Sequence, residues 1–369
     1  MEHKENILGK NKLKLGIFSA NCSSGMAVTK VPERWENNWD NNLKLVKQCD
    51  EAGIEFMLPI ARWIGYGGET NFHGNVLETV TWAAGLVAHS KNIQVFATIH
   101  TAFNHPIVSA KQLATLDQLS GGRIGLNVVA GWNKPEYDAF GIELPSAHDK
   151  RYKMAQEWFD YVSKLWTEDE PFDWEGDFFR GKDVCSLPHP VKGQMPILNA
   201  ASSEEGKNFA MRNADFLYTP MLDYDHARTT VKDVEDRAKS VGRKVGVLSF
   251  VTVVCRPTMK EAEDYLAYYA DEHADWEAVD NLMTLQGMHA QSFSRDALAT
   301  LRDRFAAGHG GFPLVGTPEH IANLLEKISE TGVAGVALAF VDYAKEFPYF
   351  QQEVLPRLEK KGLRAAFRV

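Results

Sequence analysis

A closed α/β barrel of the (β/α)8 TIM type, with rim insertions, is the fold the sequence predicts, and two observations carry that reading. Apolar runs of strand length alternate with longer segments of helical period along the chain, the pattern of βα units around a parallel sheet. About eight such units can be counted, the number that closes a barrel. An open doubly wound sheet also alternates in this way, but it usually carries G-x-G-x-x-G after its first strand. Both near-matches fail here: Thr70 and Pro313 stand at the third-glycine position after Gly65/Gly67 and Gly308/Gly310.

The first strand is KLGIFSAN from Lys14, followed by a helical pattern over Asn41–Ala52 (Leu43, Val46, Cys49) that Gly53 ends. IEFMLP from Ile54, IQVFATI from Ile93 and RIGLNVV from Arg123 are the next three strands. Between them, Leu77–His89 and Pro106–Leu119 place apolar residues at i, i+3, i+4, the spacing of one buried helix face. PILNA from Pro196, DFLYTP from Asp215, VGVLSFVTVV from Val245 and GVALAF from Gly335 complete the set, each followed by a helical segment.

Two stretches break the alternation. Asn133–Asp149 and Thr167–Gln194 form one excursion; Val279–Pro313 forms the other and ends in GHGG at Gly308–Gly311. Long rim segments of this kind are lids, or else decorative or oligomer-forming insertions. No repeat, low-complexity tract or linker divides the chain. Residues 1–369 therefore read as one domain, with 279–313 as a lid insertion.

The 369 residues are 44% hydrophobic and 24% charged, an ordinary globular balance. A net charge of −9 argues against a nucleic-acid surface, which needs concentrated positive charge. No run of 18 uncharged apolar residues suggests a bilayer span, and MEHKENILGKNK lacks the apolar core of a secretion signal. A cytoplasmic location is expected. Four cysteines (Cys22, Cys49, Cys185, Cys255) lie far apart, without metal or redox spacing. No G-x-x-x-x-G-K-[ST], H-E-x-x-H, G-x-S-x-G or EF-hand loop is present, so triad hydrolysis and metalloprotease chemistry lack support and no metal is expected.

Candidate chemistry gathers at the strand ends, where barrels of this type keep their active sites. Thr98 and His100 end the third strand, Asn127 lies within the fourth, and Gly131-Trp132 follow it. A buried amide among Val, Leu and Ile needs partners, either neighbouring backbone or a bound heterocycle such as an isoalloxazine. Arg151-Tyr152 open a helix, and Ser202-Ser203 precede another after the fifth strand. Serines there are commonly plain N-caps, but with a nearby arginine they also make a phosphate seat. The 12 histidines are scattered, and a lone histidine is more often a satisfied polar residue than a ligand.

At these residues the chain resembles the bacterial-luciferase-like flavin monooxygenases. KQLATLDQLSGGRIGLNVVAGWNKPEYDAFG, Lys111 to Gly141, is similar to that family's central block. GYGGETNFHGNVLETVTWAAGLVA (Gly65–Ala88) and GWNKPEYD resemble the pyrimidine monooxygenase branch; KQLATLDQL and the helix after HDKRY resemble the dimethylsulfone monooxygenase branch. The similarity is strong over Leu15–Ala214, weaker afterwards, and returns at LVGTPEHIA from Leu314.

The resemblance implies a flavin-dependent monooxygenase that uses reduced FMN and O2 on a small substrate. It implies FMN contacts from Ala61, Arg62, Asn127, Glu136, Arg151, Tyr152 and Ser203. Leu58, Thr98, Asn127 and Val129 would form the catalytic pocket where O2 meets the flavin, and Trp132 would wall the substrate side. After the third strand His100, Phe103, Asn104 and His105 replace a more apolar loop, which assigns His100 and His105 to the substrate. Asn199-Ala200-Ala201-Ser202-Ser203 stands where the pyrimidine branch has Ala-Gly-Gln-Ser. The expected substrate is a nitrogen heterocycle or amide. The alternatives are an organosulfur compound of the dimethylsulfone or alkanesulfonate type, an F420-dependent oxidoreductase on the same barrel, and a non-catalytic flavin-binding subunit. With no visible nicotinamide site, reduced FMN is expected from a separate NAD(P)H-dependent flavin reductase, and the chain is expected to form a homodimer or homotetramer.

Overall fold

The computed structural model describes residues 7–145, 148–288 and 295–367. Its strands in chain order are β1 (Lys14–Phe18), β2 (Phe56–Leu58), β3 (Gln94–His100), β4 (Ile124–Val129), β5 (Phe172–Glu175), β6 (Arg180–Val184), β7 (Ile197–Ala200), β8 (Phe216–Tyr218), β9 (Gly246–Cys255), β10 (Phe312–Gly316) and β11 (Gly335–Ala339). Eight of them pair in parallel in the order β9-β11-β1-β2-β3-β4-β7-β8, and β8 returns to β9, so the sheet is a closed barrel. All eight are the strands the sequence predicts. β5 and β6 form a separate antiparallel hairpin within the first excursion.

The strands are apolar on both faces because barrel interior and helix ring each cover one; all seven residues of β3 are buried. Small residues face large ones inside. A Cβ on Gly16 would come within 2.3 Å of the Phe56 ring, and one on Gly125 within 2.4 Å of Phe96. Local signals set the helix ends. Asn38 caps Trp39–Glu51 by accepting from the Asn41 amide, so that helix starts two residues before the apolar pattern. Pro106 opens Pro106–Ser120, and Gly121 closes it in a left-handed conformation at φ 65°.

The second excursion begins earlier than the sequence reading placed it, directly after β9. Helix Met259–Ala267, a π turn Tyr268–Glu272, helix Trp276–Leu285, helix Arg295–Gly308 and β10 precede the barrel helix Pro318–Glu330. Met259–Ala267 carries a capping box between Thr258 and Glu261, so in sequence it is indistinguishable from the barrel helix due at that point. β9 outruns β8: its first residues pair with β8, and residues 251–255 pair with β10. The excursion thus re-enters the sheet beyond the end of β8.

This insertion is fastened to the loop after β2. Val279, Leu282, Met283 and Phe305 share an apolar cluster with Tyr66 and Phe72. The Asp275 carboxylate accepts from the Thr70 amide and hydroxyl at 2.7 Å each, and Asn281 donates to the Tyr66 carbonyl at 2.9 Å. Among the described residues no helix is long and apolar enough to cross a membrane, and no three His, Cys, Asp or Glu cluster as metal ligands. The four cysteines are free thiols, three of them buried.

Candidate active site

Register brings the first site residues together. Thr98 in β3 pairs directly with Asn127 in β4, which pairs in turn with Leu198 in β7. The Thr98 hydroxyl donates to the Pro59 carbonyl at 2.7 Å and accepts from Asn127 Nδ2 at 3.1 Å. Asn127 Oδ1 is buried without a partner among the described residues. The Thr98 hydroxyl, rather than neighbouring backbone, therefore accounts for half of the amide, and its oxygen is left for something else. Leu58 closes β2 at 1% exposure, while Val129 at the end of β4 is only half-buried.

Beside them runs a buried ion pair. Arg62 Nη1 lies 2.9 Å from Glu136 Oε1, with side chains 5% and 2% exposed. The same carboxylate oxygen accepts from the Trp63 amide at 2.8 Å. The guanidinium sits over the rings of Tyr66 and Trp132, 5.0 and 5.2 Å from their centroids. Burial opposes its charge, but Tyr66 and Glu136 outweigh burial and hold it firmly cationic.

The stretch GWNKPEYD builds this arrangement. Gly131 adopts φ 94°, and a Cβ there would lie 2.2 Å from the Tyr137 hydroxyl. Tyr137 donates to the Ala130 carbonyl at 3.0 Å and fixes the turn. Helix Lys134–Ala139 then delivers Glu136 to Arg62.

Arg151, on helix His148–Leu165, donates to the Gly131 carbonyl at 2.9 Å and keeps a buried, unpartnered Nε. Ser203 caps helix Glu204–Asn213, accepting from the Gly206 amide at 3.2 Å. The Tyr152 hydroxyl packs so tightly on Gly206 that a Cβ would lie 2.5 Å away. Burial pushes its pKa up to about 12, so it stays protonated. The cap does not use up the site: an N-cap serine still has its hydroxyl proton to donate, and the helix start supplies free amides.

Ala61, Arg62, Trp63, Thr98, His100 and Asn104 line one cleft at this barrel end. His100 is 5% exposed; burial, then Arg62, depress its pKa to about 3, so it is neutral with Nδ1 unpartnered. His105 stands apart: it is exposed, caps Pro106–Ser120 through Nδ1 and lies edge-on to Phe179. Tyr66, His73 and His309 gather around Arg62, although the sequence reading gave none of them a role. The one hint was two histidines in glycine-flanked loops, NFHG and GHGG, and both adopt φ 55°.

Unpartnered buried atoms test what the site can hold. Asn127 Oδ1, Asn133 Oδ1, Asn199 Oδ1, Arg62 Nε, Arg151 Nε and His100 Nδ1 come from β3, β4, β7 and the segments that follow β2 and β4. Acceptors and cationic donors mixed in this way suit a flat heterocycle with its own donors and acceptors, joined to a phosphate.

Known proteins agree with this geometry. The luciferase-like monooxygenase family pattern matches residues 13–335. An FMNH2-dependent dimethylsulfone monooxygenase of Pseudomonas putida is 32% identical over 358 residues, 93% of this chain and 94% of its own length. Pyrimidine monooxygenase RutA of Allorhizobium ampelinum is 29% identical over 367 residues, 95% and 97% of the two chains. Among solved structures, DmoA from Hyphomicrobium sulfonivorans superposes with a TM-score of 0.86 at 21% identity, over 98% of this chain and 91% of its own. An F420-dependent secondary alcohol dehydrogenase shares the fold at a TM-score of 0.70 and 17% identity, over 94% and 99% of the two chains. With the family pattern spanning most of its length, the chain belongs to the luciferase-like monooxygenases.

Proposed function

We propose that the chain is the oxygenating component of a two-component flavin monooxygenase, taking reduced FMN from a separate reductase and acting with O2 on a small organosulfur compound. The observation that carries the substrate class is whole-chain similarity to dimethylsulfone monooxygenases, 31–32% identical over nearly their full length. A nitrogen heterocycle, the class the sequence favoured, is the second reading, supported by the 29% identity to pyrimidine monooxygenases. It drew mainly on GYGGETNFHG and GWNKPEYD, and both have structural duties. The first docks the insertion through Thr70 and Tyr66, and the second pins Arg62 through Glu136.

Bound at this barrel end, FMN in its reduced form supplies two electrons, so that one oxygen atom enters the substrate and the other leaves as water. The protein's share is binding, orientation and exclusion of bulk water. Arg151, Tyr152, Ser203 and the start of helix Glu204–Asn213 hold the phosphate. Asn127, oriented by Thr98, and Arg62, fixed by Glu136, face the ring system. Trp132 walls the substrate side, and Leu58 and Val129 keep the oxygen pocket apolar. The insertion across residues 279–313, resting on the loop after β2, is the cover.

Oxygen uptake and product analysis with reduced FMN supplied, across sulfones, sulfonates, pyrimidines and amides, test the reading. Oxygenated product from a sulfur compound is the expected result. Product only from nitrogen compounds would move the substrate class to the second reading, and a protein binding F420 but not FMN would sink both.

A further inference from the structure

Among the described residues, four buried polar atoms around Arg62 have no partner: Arg62 Nε, the Tyr66 hydroxyl, His73 Nδ1 and His309 Nε2. They belong to one nest. The rings of Tyr66, His73 and His309 form a triangle with centroids 5.8, 6.1 and 5.9 Å apart, and Arg62 lies 5.0 Å over Tyr66. The loop after β2 brings Tyr66 and His73, and the end of the insertion brings His309. Arg62 also lines the cleft that holds Thr98 and His100, so nest and cleft share a wall.

The hydrogen-bond polarity of the nest can be read. His73 Nε2 lies 2.6 Å from the Gly25 carbonyl oxygen, which can only accept, so the ring proton is on Nε2. Burial, then His309 and Arg62, hold this imidazole neutral. Its Nδ1 is therefore a bare lone pair. Burial raises the Tyr66 pKa to about 12, so its hydroxyl is a donor, and Arg62 Nε–H can only donate. If this nest served packing alone, apolar rings would fill it without the cost of buried unpaired groups.

We propose that Tyr66 and His73, walled by His309, anchor the substrate, and that the substrate carries an oxygen acceptor flanked by an N–H or O–H donor. On the organosulfur reading, on which the sulfur alone rests, this means a sulfonamide or hydroxyalkyl sulfone rather than a bare dialkyl sulfone. Tyr66 takes the oxygen, and His73 Nδ1 takes the donor.

The test uses the FMN-loaded protein and two matched pairs of probes: methanesulfonamide with dimethyl sulfone, and uracil with 1,3-dimethyluracil. Calorimetric titration gives affinities, and the ¹⁵N resonance of His73 Nδ1, assigned by its loss in His73→Gln, reports the contact. Within a pair that binds, the donor-bearing probe should bind about 10-fold tighter and move that resonance. Tyr66→Phe should weaken it about 10-fold with FMN affinity unchanged. Equal or tighter binding of the donorless probe with an unmoved resonance would overturn the anchor, as would binding of no probe at all. Preference for uracil with no binding of either sulfur probe would keep the anchor and remove the organosulfur reading.

Discussion

Asn127 Nδ2 donates to the Thr98 hydroxyl at 3.1 Å across a directly paired position of β4 and β3, and Thr98 donates to the Pro59 carbonyl at 2.7 Å. The relay fixes which way the amide points and leaves Oδ1 uncommitted. Thr98 thus acts first on Asn127, and its proton reaches oxygen only if the Pro59 bond opens.

Thr98→Val keeps the shape and deletes the acceptor, so folding and FMN binding should survive while the amide loses its orientation. Product formation should fall by about 10- to 1000-fold. Rapid single-turnover mixing of the reduced-FMN complex with oxygenated substrate reads this directly. An unchanged rate and yield would reduce Thr98 to a strand residue that bonds backbone.

If Arg151, Tyr152 and Ser203 hold a phosphate, as proposed, FMN should bind much more tightly than riboflavin. Removing one charge-assisted contact, as in Arg151→Met, should cost about 2 kcal/mol of FMN affinity and little of riboflavin affinity. Fluorescence titration showing equal affinity for the two flavins would refute the phosphate seat.

Glu136→Gln leaves the buried Arg62 cation without its counter-charge. Breaking one partner of such a pair costs about 3–5 kcal/mol, and the Trp63 amide keeps only a weaker acceptor. Chemical denaturation should show a loss of that order, together with weakened FMN binding. A stability change below about 1 kcal/mol would mean that solvent screens the pair.

Stability should also fall below neutral pH. His100 and His309 have pKa values near 3 in the fold, depressed first by burial and then by Arg62, against an ordinary 6.5. Unfolded chains bind these protons first, so the contribution is fully present above pH 6.5 and is lost as pH falls toward 3. Glu55 and Glu346, whose pKa values burial raises, act in the opposite sense. The readout is therefore a difference: between pH 7 and 5, His100→Gln should lose less of its thermal midpoint than the parent. Parallel curves would show that His100 titrates normally.

Much of this protein follows from sequence by itself. Strand existence and order are local properties: each run from Lys14 to Gly335 is apolar and bounded by helical period, and a barrel gives all eight such runs cover on both sides. Thr98, Asn127, Glu136, Arg151 and Ser203 were legible because the contiguous block from Lys111 to Gly141 and two helix starts carry most of them.

Tertiary structure alone decided the rest. Met259–Ala267 has the period and capping box of a barrel helix, and only the pairing of β9 with β10 shows that it belongs to the insertion. Nothing local separates His105, a helix cap, from His100, a buried neutral imidazole, because burial and the field of Arg62 come from other segments. Tyr66, His73 and His309 meet only once the insertion folds back onto the loop after β2. Periodicity reports what a residue needs from its own segment, whereas hydrogen-bond polarity, charge and burial depend on segments elsewhere in the chain, tens to hundreds of residues away.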